Sequence, residues 1–305
     1  MDITDVGIIG ASTRGRELAE ALCLSGFNLT LVEVNKPTLE RGFKLIEQEM
    51  DALIAKWGLT ESEKKAALAR IKGVTSIKEI NRNAQIVFVT VQENLQLNKT
   101  IFEELDQVMN PRCILVSHTA ILSITDIATA TSRPDKVAGI VFLPPVTQVP
   151  FAEVVCGLNT SIDTFTTLRE FVQVGMNKTP IQITEFPGNV SIRMLVSMIN
   201  EALCIAMEGT ATIEDIDTTM KLGYKMRRGP FELADKIGLD LIAVWMDYLY
   251  KEMGAGSAAP YRLISKLVNA GHLGYKTRKG FYKYDEQGKI ISLGALNQLK
   301  KMELF

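Results

Sequence analysis

Two histidines and four cysteines are all that this 305-residue chain offers for metal or thiol chemistry. Cys23, Cys113, Cys156 and Cys204 lie far apart, with no C-x-x-C pair and no histidine beside any of them. The spacing argues against a zinc framework and reads as buried, reduced thiols. No metal is expected. An excess of one charge is lacking too: 34 Lys and Arg nearly cancel 35 Asp and Glu, which gives no global field for nucleic acid or an anionic membrane. No apolar run approaches the roughly 20 residues of a membrane span, and the N-terminus shows no basic stretch leading into an apolar core and cleavage site. These absences predict a cytoplasmic globular protein without nucleic-acid or membrane partners, and the 47% apolar and 23% charged shares fit one.

What is present begins with a strand, a helix and a strand. Asp5-Val-Gly-Ile-Ile9 is a short apolar run ending at Gly10; residues 14–24 are helical in pattern and stop at Ser25-Gly26; Leu29-Thr-Leu-Val-Glu33 reads as a second buried strand. This has the length of a right-handed βαβ crossover. Helical periodicity then runs over residues 37–72 (Leu45, Ile46, Met50, Leu53, Ile54, Trp57), breaks at Gly58 and resumes at a capping box, Thr60-Glu-Ser-Glu63. Strand-like runs at Ile86-Val-Phe-Val-Thr-Val91, Ile114-Leu-Val-Ser117 and Val137-Ala-Gly-Ile-Val-Phe142 alternate with helical stretches. The alternation predicts an α/β fold, a Rossmann-type doubly wound parallel sheet with a helical hairpin inserted in it. Ile181-Gln-Ile-Thr184 is a last candidate strand, and beyond Pro187-Gly188 the pattern is helical to about Val268. The expected division is a dinucleotide-binding domain over residues 1–185 and an all-α C-terminal domain over residues 186–305. Met194, Met198, Met207 and Met220 are expected on core-facing helix sides.

Gly10-Ala11-Ser12-Thr13-Arg14-Gly15 joins the first strand to its helix and matches G-x-G-x-x-G except at Ser12. Gly10 permits the tight turn and Gly15 the close helix packing, while the middle position lets backbone approach a pyrophosphate at the helix N-terminus. A serine there crowds the phosphate and offers a hydroxyl. Glu33 ends the second strand, where a carboxylate accepts hydrogen bonds from a ribose diol and repels a 2′-phosphate. The expected cofactor is NAD rather than NADP. Taken alone, the glycine motif also fits a βαβ turn that binds nothing.

Longer motifs stand in order along the chain: Val91-Gln-Glu-Asn94, Gly139-Ile-Val-Phe-Leu-Pro-Pro-Val146, Asp215-Ile-Asp217, Gly229-Pro-Phe-Glu-Leu-Ala-Asp235 and Leu273-Gly-Tyr-Lys-Thr-Arg-Lys-Gly-Phe-Tyr282. Together they resemble the signatures of the 3-hydroxyacyl-CoA dehydrogenases, over residues from about 5 to about 284. The resemblance implies an NAD-dependent oxidoreductase of fatty acid metabolism, acting on the CH–OH group of an acyl-CoA-like substrate, with a C-terminal domain for substrate binding and homodimer formation. It implies that Glu93 contacts the nicotinamide ribose, that Lys276 lies near the cofactor, and that Glu153 is the carboxylate that orients the catalytic base. Asn98 stands where a cofactor-proximal lysine is usual.

The base itself is missing. Val141 occupies the histidine position of G-x-H-F-F-N-P-V, and a valine cannot carry a proton. Pro144 replaces the asparagine of that motif; in Ser117-His-Thr-Ala-Ile-Leu122, Ala120 replaces the substrate serine and His118 an asparagine; Ile192 replaces the asparagine of the second domain. Together these remove most hydrogen-bonding groups from the reacting carbon. His118, at the C-terminal end of a central strand, is the candidate for a relocated base partnered by Glu153; packing beside the nicotinamide pocket is the alternative. His272 reads as a surface residue in a polar turn. Lys225, Arg227 and Arg228, where the family carries a small apolar segment, are candidates to meet an anionic substrate group, CoA phosphates or an acidic partner, with a solvated turn as the alternative. Two readings follow: an oxidoreductase with an altered or impaired catalytic site, or a catalytically inactive NAD- or partner-binding subunit, paired with an intact paralogous subunit.

Overall fold

The computed structural model describes residues 3–55, 58–254 and 262–294. Trp57 of the predicted helical stretch lies outside the described residues, as do residues 295–305 of the expected second domain. Chain contacts divide the molecule into two compact units, Met1–Phe186 and Pro187–Phe305.

The first unit comprises β1 (Asp5–Ile9), α1 (Thr13–Leu24), β2 (Asn28–Val32), α2 (Lys36–Ile54), α3 (Glu61–Leu68), β3 (Ile71–Val74), β4 (Ile86–Val89), α4 (Leu95–Val108), β5 (Ile114–Ser117), α5 (Ile124–Ala128), β6 (Val137–Val141), β7 (Phe151–Cys156), α6 (Ile162–Glu170) and β8 (Thr179–Thr184). Eight strands form one sheet in the order β3-β2-β1-β4-β5-β6-β7-β8. The doubly wound sheet is as expected, with one correction. β1 to β6 run parallel, but β7 is antiparallel to β6 and β8 is parallel to β7. The link between β6 and β7, residues 142–150, is shorter than the dozen or so residues that a parallel crossover needs. The predicted hairpin is α2 and α3: Asn35 caps the first by accepting from the Thr38 N–H, and Thr60 with Glu63 forms the capping box of the second. β3 lies in sequence assigned to helix. Its Lys72-Gly73 centre gives no apolar alternation, and parallel pairing to β2 along the sheet edge makes it a strand.

The pleat sends alternate residues to opposite faces. Ile114, Val116, Ile140, Phe142, Ala152 and Val154 join the core under α1, with Leu18 and Leu22. Leu115, Val137, Val141 and Val155 join the other core, with Phe102 and Leu105 of α4 and Ile124 and Ile127 of α5. The β1–α1 turn fixes how α1 meets the sheet. Gly10 has φ +101°, and a Cβ on Gly15 would lie 2.0 Å from the Gly10 carbonyl oxygen and 2.6 Å from Thr90 Oγ1. Only glycine at position 15 lets the helix sit this close.

The second unit contains α7 (Ser191–Met207), α8 (Ile213–Gly223), α9 (Pro230–Ile237), α10 (Leu239–Met253) and α11 (Arg262–Asn269), followed by a two-stranded antiparallel hairpin of β9 (Tyr282–Tyr284) and β10 (Ile290–Leu293). It is helical as expected; the hairpin is the addition. Two buried carboxylates join these parts. Asp217 accepts from the Phe231 and Glu232 N–H groups and from the Tyr282 hydroxyl, at 2.9, 3.0 and 2.8 Å. Asp235 accepts from the Phe281 and Tyr282 N–H groups and from the Tyr284 hydroxyl, each at 2.9 Å. A Cβ on Gly280 would lie 2.0 Å from Asp235 Oδ1, which explains the glycine before Phe281. The methionines correct a sequence expectation. Met194 and Met207 are 69% and 37% exposed, and Met198 and Met220 are only half-buried.

Asp235→Ala leaves two buried N–H groups and a hydroxyl without their acceptor, so it should cost the second unit about 3–5 kcal/mol, read from urea unfolding. A loss under about 1 kcal/mol would show that the clamp contributes little. Gly15→Ala should lower the stability of the first unit by about 1–3 kcal/mol through overpacking. Circular dichroism in urea reads it, with Gly223→Ala as control, because a Cβ there meets nothing within 4 Å. Equal midpoints for the two variants would contradict the close approach.

Candidate active site

The C-terminal ends of β1, β2, β4 and β5 meet at one edge of the sheet, where doubly wound folds bind ligands. Glu33 follows β2 and turns back onto the glycine-rich loop: its carboxylate accepts from the Ala11 N–H at 2.8 Å and the Val34 N–H at 2.7 Å. Ser12 precedes α1 in extended conformation without capping it, and its hydroxyl donates to the Thr90 carbonyl at 3.3 Å. Thr90 Oγ1 is 2.9 Å from the carbonyl oxygens of both Ile9 and Gly10, between which its single proton is shared. Thr90 was not among the residues singled out in the sequence; a lone threonine after an apolar run carries no signal.

Three of the strand-end loops are tied through Glu93. Arg14, in the first turn of α1, places Nη1 2.6 Å from Glu93 Oε1 and donates from Nη2 to the Val91 carbonyl at 3.2 Å. Glu93 in turn accepts from the Thr119 hydroxyl and from the Ala120 N–H at 3.2 Å. Thr119 Oγ1 also accepts from the Leu122 N–H at 2.9 Å, closing the turn after β5. Thus Arg14, Glu93 and Ala120, expected separately for cofactor and substrate, belong to one network. Asn98 stands apart. It is buried in α4, and its Nδ2 donates to the Gln92 and Asn94 carbonyls at 3.1 and 2.9 Å, so its amide donor is engaged in the helix start.

Val141 and Glu153 are direct cross-strand neighbours in the β6–β7 pair, and both are buried. Glu153 therefore faces a valine side chain on the α4–α5 side of the sheet, together with Val155. The loop after β6, which carries Pro144, is held from two directions. The Lys178 ammonium donates to the Val146 and Val149 carbonyls at 2.6 Å each, and the Val146 N–H donates to Glu17 at 3.2 Å. Burial lowers the Lys178 pKa.

His118 departs from the expected partnership. It lies on the α1 side of the sheet, stacked on Phe142 with ring centroids 5.9 Å apart and planes 17° apart. Its Nε2 accepts from the Phe142 N–H at 3.3 Å, and its buried Nδ1 has no hydrogen-bond partner. Glu153 projects from the opposite face, so the two do not form a dyad; strand alternation, invisible when motifs are compared singly, separates them. Burial first and the Arg14 charge second push the His118 pKa down to about 4. Ser117 Oγ is likewise buried without a partner. His272 is half-buried rather than at the surface.

The remaining candidates belong to the second unit. Lys276 Nζ is 2.6 Å from both oxygens of Asp240. Ile192 is buried in α7. Arg227 is exposed and Arg228 half-buried beside exposed Lys225, and none of the three has an ion-pair partner among the described residues. No cluster of His, Cys, Asp and Glu suited to a metal occurs among the described residues, and no described helix is long and apolar enough to cross a membrane.

Comparison with known proteins places this geometry. Residues 5–186 match the 3-hydroxyacyl-CoA dehydrogenase NAD binding domain, and residues 188–284 match the C-terminal domain of the same family. The chain is 37% identical over 287 residues to the probable 3-hydroxybutyryl-CoA dehydrogenase of Bacillus subtilis, covering 94% of this chain and 99% of that protein. It is 34% identical over 281 residues to the 3-hydroxybutyryl-CoA dehydrogenase of Clostridioides difficile, covering 92% and 99%. The crystal structure of (S)-3-hydroxybutyryl-CoA dehydrogenase from Ralstonia eutropha superposes with a TM-score of 0.86 at 38% identity, covering 93% of this chain and all (100%) of that one. With both domain types matched in order, the chain belongs to the 3-hydroxyacyl-CoA dehydrogenase family, and NAD is its cofactor.

Proposed function

We propose that this chain is an NAD-dependent oxidoreductase for an acyl-CoA-like substrate, with a reacting centre altered so that ordinary 3-hydroxyacyl-CoA oxidation is impaired. The single observation that carries the reading is the pairing of buried Glu153 with Val141. Oxidation of an alcohol needs a group to take the hydroxyl proton as hydride leaves, and the side chain that faces Glu153 across the strands has none to offer.

The loop of Gly10, Ala11, Ser12, Thr13, Arg14 and Gly15 fits a dinucleotide. Gly10, at φ +101°, makes the turn and Gly15 lets α1 approach it closely, and the first turn of α1 lacks a side-chain cap on its N–H groups. In this reading Glu33 takes the adenine ribose, and Glu93, fixed by Arg14, takes the nicotinamide ribose. When bound, NAD supplies a hydride acceptor. Ala120 leaves the first unit's strand edge without a serine hydroxyl, and in the second unit Arg227 and Arg228, which have no ion-pair partner among the described residues, are offered to an anionic substrate group.

A second reading is favoured by the same substitutions: a non-catalytic NAD- or partner-binding subunit that works with an intact paralogous subunit. A homodimer through the second domain is supported by exposed Val190 and Met194 on and beside α7. The four free thiols suit a reducing compartment, the cytoplasm.

Calorimetric titration should show NAD(H) binding at least about 10-fold tighter than NADP(H), because Glu33 repels a 2′-phosphate; tighter NADP(H) binding would overturn the assignment of Glu33. In steady-state assays at saturating NAD, 3-hydroxyacyl-CoA oxidation should run at least ~10²-fold slower than in a relative that has the histidine. Val141→His combined with Ala120→Ser and Ile192→Asn should recover part of that rate. Ordinary turnover by the unaltered chain would refute an impaired site. If the triple variant reacts while the parent turns over no acyl-CoA at all, the non-catalytic reading holds.

A further inference from the structure

His118 presents a hydrogen-bonding puzzle that the altered site leaves unexplained. His118 is only 5% exposed, and its Nδ1 has no hydrogen-bond partner among the described residues. A backbone N–H can only donate, so the contact from Phe142 to Nε2 makes Nε2 the acceptor. In the neutral ring the proton then sits on Nδ1, and the one lone pair available to take a proton is already occupied. The ring cannot turn freely to exchange these roles, because it is stacked on Phe142. Burial first, and the Arg14 charge second, oppose an imidazolium. Buried donors in native proteins are nearly always paired. A fixed, buried N–H without an acceptor therefore marks a place where a ligand atom completes the set.

We propose that His118 is a hydrogen-bond donor to a ligand carbonyl oxygen at the C-terminal edge of β5, acting through its Nδ1–H, and is not a catalytic base. The inference rests on the reading of this edge as a site for NAD and an acyl-CoA-like substrate. A neutral oxygen suits the position because the neighbouring cation, Arg14, is already paired with Glu93. Two ligands carry such an oxygen: the nicotinamide carboxamide and the 3-oxoacyl thioester. Neutral imidazole acting as a donor to a carbonyl is an established enzymatic device.

The test is nitrogen-15 NMR of the full-length protein labelled at histidine, with His272→Gln used to assign the two rings. At pH 7 the free protein should show His118 as the Nδ1–H tautomer. Addition of NAD+ alone or of acetoacetyl-CoA alone, with binding verified by calorimetry, should shift Nδ1 and slow exchange of its proton for the ligand that supplies the carbonyl. An Nε2–H tautomer or an imidazolium in the free protein overturns the proposal, as does binding of both ligands with Nδ1 unmoved. Failure of both ligands to bind overturns the oxidoreductase reading itself and removes the carbonyl on which the proposal depends. In parallel, His118→Phe keeps the stacked ring and removes the donor, so affinity for the shifting ligand should fall ~3–10-fold, the span of one neutral hydrogen bond. His118→Asn, which restores an N–H, should lose less. Undiminished affinity in His118→Phe contradicts the assignment.

Discussion

A sheet covered by helices on both faces leaves its strand ends as the one place where polar chemistry can gather, and most of this molecule follows from that constraint. β1, β4, β5 and β6 are buried on both sides, so their side chains are almost wholly apolar. Polar groups begin where strands stop: Thr90, Glu93, Ser117, His118 and Thr119 all lie within a few residues of a strand end. The same constraint divides them. Because successive residues point to opposite helical layers, His118 and Glu153 share an edge of the sheet but not a face.

Ion pairing at that edge is organised by Glu93. Its side chain is 7% exposed, and it accepts from Arg14 at the start of α1 and from Thr119 and Ala120 in the turn after β5. A carboxylate this buried is tolerated when its oxygens are paired. The groups around Glu93 therefore hold and orient one another across the strand ends.

The second unit shows how a motif can be structural. Residues of the three helical-domain signatures converge on Asp217 and Asp235, each of which accepts two backbone N–H groups and a tyrosine hydroxyl. Gly229 and Gly280 let backbone pass the two carboxylates, since a Cβ on either would come within 2.4 Å of a carboxylate oxygen, and Gly274 lets the chain pass the Asp235 backbone, where a Cβ would lie 2.3 Å from its carbonyl oxygen. Burial raises the Asp235 pKa to about 6 while its three hydrogen bonds oppose the shift. These spaced matches therefore report a shared scaffold, and the chemistry has to be read elsewhere.

The sequence by itself determined the βαβ opening, the inserted helical hairpin with its capping box at Thr60 and Glu63, and the succession of buried strands. Each is written in local periodicity or in a cap. β3 and the antiparallel turn into β7 were not legible, because an edge strand with a polar centre and a short return link acquire their form from neighbours distant in sequence. The latch of Arg14, Glu93 and Thr119 was hidden for the same reason: its members are separated by 79 and 26 residues and meet only when the strand ends align. For His118, sequence gave the right edge and the wrong partner. The face it occupies, the N–H that blocks Nε2 and the isolation of Nδ1 were decided by the sheet register alone, because register determines which atoms are within hydrogen-bonding distance.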